Sequence, residues 1–120
     1  MLDSYESKAS QAEIVETFVR FVGGINAVTK VEGVGVTVTY VSTGIVTLTW
    51  AENPGRFMGV TWGLQATTAS GVKGYTVVPG VFSATAYTLA INITNGSETL
   101  ANLAALEWCN LRVSFARTGV

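Results

Sequence analysis

An all-β fold, an antiparallel sandwich of short strands, is what this 120-residue sequence predicts. Three observations carry that expectation. From about residue 15 onward valine, threonine, isoleucine and aromatics dominate, the types that suit a pleated, half-buried surface. Glycines and short polar clusters interrupt them at short intervals, as turns between antiparallel strands do. Within the runs, apolar residues alternate with threonine at the period of two that one buried face imposes. The length suits one domain, divided here into an N-terminal arm over 1–14 and a sandwich over 15–120.

The arm differs from the rest. It carries Asp3, Glu6, Lys8 and Glu13 among serines and alanines, without an apolar stripe. Two expectations stand side by side: it reaches onto a neighbouring subunit, or it is a tail or short helix that stays with its own domain.

The clearest hairpin joins 35–41, GVTVTYV, to 45–50, IVTLTW. Val36, Val38 and Tyr40 share one face with Val46, Leu48 and Trp50, while Thr37, Thr39, Thr47 and Thr49 line the other. Those threonine faces are exposed or meet a partner through their hydroxyls. Gly44 supplies the positive φ of the turn. Pro54-Gly55 then turns the chain into 56–65, RFMGVTWGLQ. Alternation there places Met58, Val60, Trp62 and Leu64 inward and leaves Phe57, Gly59, Thr61 and Gly63 outside, a bare face suited to close packing by a neighbouring subunit.

Pro79-Gly80 marks an edge strand or a corner, because proline cannot donate to the ladder. Tyr87, Leu89, Ile91 and Ile93 share the inner side of the next strand, and Asn95-Gly96 is a turn. The stretch SETLANLAALEW, 97–108, has a capping serine and leucines at helical spacing, so one short helix or ordered loop is expected near 97–107. In the last strand Cys109, Leu111, Val113 and Phe115 point inward and Asn110, Arg112 and Ser114 outward. It is expected to sit centrally, paired with an early strand.

Several function classes are disfavoured. Only 12% of residues are charged and the net charge is −1, with basic residues scattered singly, so the basic stripe of a nucleic-acid binder is missing. There is no histidine, which removes the usual general base and zinc ligand together. Glu13 and Glu16 read as a solvated face, not an acid–base pair. Gly33 and Gly35 lack the third glycine and the helix of a phosphate cradle. The lone Cys109 reads as a small buried residue. No membrane span or secretory signal is evident, and the sequons at Asn92 and Asn95 would matter only in a secretory pathway. No enzyme, cofactor or metal is expected.

The order of pieces at 40–48, 64–67, 77–93, 95–106 and 110–120, closing on NLRVSFARTGV, resembles the small β-sandwich proteins of tailed-bacteriophage virions, the capsid decoration or cement proteins. The resemblance covers about 34–120. It implies a jelly-roll-like sandwich that binds the major capsid protein on the outside of an icosahedral head, associates with itself as a dimer or trimer, and braces capsomers without catalysis. Such a protein is made in the host cytoplasm and resides on the virion surface. Candidate contacts with capsid or neighbour are Tyr5, Arg20, Arg56, Phe57, Trp62 and Arg112. The alternative is a tail or fibre knob that binds a host-surface carbohydrate through Trp62, Tyr75 or Tyr87.

Overall fold

A computed structural model describes residues 13–67, 74–97 and 99–117. Residues 1–12 of the expected arm, Tyr5 among them, lie outside the described residues. Eight strands follow one another: β1 Glu13–Gly24, β2 Ala27–Glu32, β3 Val36–Ser42, β4 Ile45–Trp50, β5 Arg56–Ala66, β6 Thr76–Ser83, β7 Thr88–Thr94 and β8 Glu107–Arg117. They form two antiparallel four-stranded sheets, A in the order β2-β1-β8-β5 and B in the order β3-β4-β7-β6. The antiparallel β-sandwich expected from the sequence is observed. Hairpins β1–β2, β3–β4 and β6–β7 stay within a sheet, whereas the other connections cross between sheets.

Alternation accounts for most of the core. Leu48, Leu89, Ile91, Ile93, Cys109, Val113 and Phe115 are fully buried from β4, β7 and β8, with Val19 and Phe21 from β1. β8 is central in sheet A, in register with β1 from Glu13↔Arg117 to Val22↔Trp108 and with β5 on its other side. Aromatic rings close one end of the core: Trp50 and Phe115 meet edge to face at 5.1 Å, and Phe57 stacks on Phe82 at 6.3 Å. Trp50 Nε1 donates across the sandwich to Thr17 Oγ1 at 3.1 Å, which satisfies the one polar atom of a buried ring.

One expectation needs correction. In β5 the register slips between Phe57 and Gly59, a bulge that takes Met58 out of the alternation. Phe57 therefore turns inward opposite Phe115, and Met58, expected inside, is 53% exposed. For 97–107 the sequence allows a short helix or an ordered loop, and the loop is observed. No helix forms among the described residues there, and the segment runs on to β8.

Local hydrogen bonds explain why the loop wins. Asn95 Oδ1 accepts from the backbone of Ser97 and Thr99, and Glu107 Oε1 accepts from Ala104 N at 2.6 Å. Those side chains give the backbone an alternative to helical bonding. Ala101 N meanwhile donates to Ile93 O, and Leu103 is buried against the core. The same loop receives the β3–β4 turn: Gly44, at φ 73°, donates its N–H to Asn102 Oδ1 at 2.8 Å.

Candidate interaction surfaces

The outer face of sheet A gathers charge that is far apart in sequence. Register places Glu16 opposite Ser114, Phe18 opposite Arg112, Arg20 opposite Asn110 and Val22 opposite Trp108, with Gly59, Thr61, Gly63 and Gln65 continuing these rows on β5. Arg20 donates to Gln65 Oε1 at 2.9 Å and to Asn110 Oδ1 at 3.3 Å, and its guanidinium lies 5.4 Å from the centre of the Trp108 ring. Arg112 lies 5.0 Å from the centre of the Phe18 ring and 3.8 Å from the Glu16 carboxylate, which also accepts from Ser114 Oγ. Both arginines thus sit over a ring within cation–π range and beside polar partners.

Beside them β5 is bare. A Cβ built on Gly63 or on Gly59 meets no atom within 4 Å, so these glycines face open space. The φ of 158° at Gly59 still favours glycine, whereas at Gly63 nothing among the described residues requires so small a residue.

Sheet B presents the opposite surface. Its strands, VTVTYVS, IVTLTW, TVVPGVFS and TLAINIT, contain no Asp, Glu, Lys or Arg. Register aligns Thr37, Thr49, Thr88 and Ser83 in one row and Thr39, Thr47 and Ala90 in the next, on the side away from the core. Gly80 completes the second row, where a Cβ would stand 3.2 Å from that of Ala90. Asn92, in a third row, is held by donation to Val78 O.

Between the sheets, where edge strands β5 and β6 run together, lies an open cavity of about 600 Å³ lined by Arg56, Phe57, Val81 and Phe82. Its floor is the stacked Phe57–Phe82 pair, and its mouth is wide.

The structure brings Arg20 and Arg112 onto one face and Arg56 with Phe57 into one cavity. Trp62 stands elsewhere, paired with Leu111 on the inner side of edge strand β5 and 39% exposed. Tyr5 lies outside the described residues. Of the residues proposed for a carbohydrate, Tyr75 precedes β6 and Tyr87 follows it, at opposite ends of that strand, so they build no common platform. Both are half-buried against the core. Tyr75 donates to Asn102 O at 3.4 Å, and burial, then the nearby Glu107, raises its hydroxyl above the usual value.

Sequence reasoning missed Phe18, Trp108, Gln65 and Glu16 as members of the sheet A face. Only pairing between distant strands unites them. Cys109 is buried, and burial pushes its thiol up to about 12. Among the described residues no group of three or more His, Cys, Asp or Glu side chains could hold a metal ion, and no helix is long and apolar enough to cross a membrane. Comparison with protein-family models, with curated proteins and with solved structures gave no match.

Proposed function

We propose that this protein is a structural virion component, a decoration protein that lies on the outside of a bacteriophage head with the outer face of sheet B against the major capsid protein. The observation that carries the reading is the division of charge. Every Asp, Glu, Lys and Arg in the eight strands belongs to sheet A, and sheet B has none. Covering a charged face costs several kcal/mol per unpaired ion, whereas a face of threonine, alanine and valine is covered cheaply if its hydroxyls find partners. Charge is correspondingly depleted at the centre of protein interfaces. The resemblance of residues 34–120 to phage decoration proteins is the ground for choosing the major capsid protein as partner, and the scarcity of charge across the chain fits a protein whose surface is largely covered.

Face size adds a condition. Four strands of about 23 Å at 4.8 Å spacing give a projected area on the order of 400 Å², roughly half of what one partner contributes to a standard interface. A single copy therefore binds weakly, and several linked copies bind well through avidity.

Co-sedimentation with capsids that lack the protein tests the reading. Thr39→Lys with Thr47→Lys places two ammonium groups in the middle of the face without touching the core. Occupancy should fall at least about tenfold, since one unpaired buried charge outweighs 1.4 kcal/mol. An unmodified chain that fails to bind capsids rejects the function. Binding that survives the lysines and is lost in Arg20→Ala with Arg112→Ala transfers it to sheet A.

A further inference from the structure

The first strand is longer than its partner. β1 begins at Glu13, yet β2 pairs with it only from Arg20 to Gly24. Beyond Arg20↔Glu32 the chain leaves sheet A through Gly33, whose Cβ would stand 3.5 Å from Phe18 O. Over residues 13–17, among the described residues, no strand lies on the side of β1 away from β8. That side opens into a cavity of about 630 Å³, lined by Val15, Glu16, Thr17, Phe18, Glu32 and Val34.

This edge lacks the strongest of the usual protections, its charges being only Glu13 and Glu16. Natural sheets guard a free edge with proline, lysine, a bulge or an overlying loop. Residues 13–17 read EIVET: no proline, no lysine, and an uninterrupted register with β8. Ile14 and Phe18, on the outer face of the same stretch, are 57% and 58% exposed. A run of five residues, roughly 16 Å, is also the usual length of a strand.

We infer that the N-terminal arm of a second copy, within residues 1–12, lies in this slot as an added strand beside β1. Length permits it, because twelve residues reach up to about 40 Å and the edge needs less than half of that. Composition permits it too: MLDSYESKASQA has neither proline nor glycine, so every residue after the first can donate to the ladder.

Composition also argues for the neighbour's arm over the chain's own. To reach the slot from Glu13 the chain's own arm would have to reverse within KASQA, residues 8–12. A two-residue hairpin turn there favours glycine, asparagine or aspartate, and none is present. An arm arriving from another molecule needs no turn. Exchange of arms links copies of the chain, which is the condition the small footprint of sheet B imposes, but it requires no capsid and holds or fails independently of the coat reading.

Native mass measurement on the full chain and on a chain lacking residues 1–12 provides the first test. The full chain should be an oligomer and the shortened one a monomer. In the second, separately purified Tyr5→Cys and Val34→Cys chains are mixed and treated with a bis-maleimide linker long enough to tolerate a shift of one or two residues. Cys109 is buried and does not compete. The mixture should yield a dimer joining one chain of each kind. A full chain that stays monomeric at all concentrations, a shortened chain that still oligomerises, or cross-linking confined within single molecules of a Tyr5→Cys/Val34→Cys double variant each overturns the inference.

Discussion

Glycine serves opposite ends at two positions in sheet A. At Gly23, in β1, an added Cβ would overlap the backbone of Leu103, so the loop after β7 can pack only on a bare residue. At Gly63 the same atom would stand in open space. Gly23→Ala should therefore cost about 1–3 kcal/mol, as overpacking does, whereas Gly63→Ala should be neutral or stabilise by up to about 1 kcal/mol, because a strand glycine is entropically costly. Urea melts of the two variants separate these outcomes. If Gly63→Ala instead leaves stability intact and lowers self-association, the bare face is an interface in its own right.

Cys109 supplies the second prediction at this scale. Burial holds the thiol protonated, with its value raised from 9.0 to about 12. The unfolded chain ionises first as pH rises, so the folded state loses ground through that interval. The contribution is present in full below pH 9 and is lost as pH climbs towards 12. Thiol reagents at pH 8 should leave the native protein unlabelled and react at once in denaturant. Rapid native labelling would mean that the sandwich opens around β8.

At the scale of the element, β5 shows where alternation can be read and where it cannot. The inner positions of β3, β4, β7 and β8 were legible because nothing interrupts their core-facing residues: Val36, Leu48, Ile91 and Val113 fall where a period of two puts them. In β5 one extra residue, Met58, inverts the parity of what precedes it, and no residue near it signals the bulge unambiguously. The consequence is measurable. Phe57→Ala should cost about 2–3 kcal/mol, below the range of about 3–5 for a core phenylalanine because Phe57 is only partly buried. Met58→Lys should stay within about 0.5 kcal/mol. Reversed magnitudes in thermal unfolding would restore the unbulged strand. Over 99–106 the sequence could not choose between helix and ordered loop for a related reason: leucine spacing reports amphipathic potential, but Leu103 is claimed by the core and Ala104 by Glu107.

For the whole molecule, local pattern says little about which strands become neighbours. The absence of charge in β3, β4, β6 and β7 is visible in each segment, but it becomes a surface only once those four strands form one sheet. Likewise Arg20 and Trp108 meet because β1 pairs with β8. Such pairing between distant parts of the chain slows folding, since loop closure must precede the contacts that reward it. Refolding should take milliseconds to seconds, and Val113→Ala in β8 should both destabilise the protein and slow that phase if β8 belongs to the nucleus. An unchanged folding rate would place β8 docking after the transition state.

The central seat of β8 matters during synthesis as well. β1 and β2 leave the ribosome first, and β5 follows, but the strand that joins β1 to β5 is delivered after all the others. Until then sheet A exists as two unconnected pieces, and the apolar sides of Val19, Phe21 and Phe57 have only half of their cover. A message cut short before β8 therefore does not yield a slightly smaller sandwich. It yields a fragment with exposed apolar surface, open to proteolysis and aggregation.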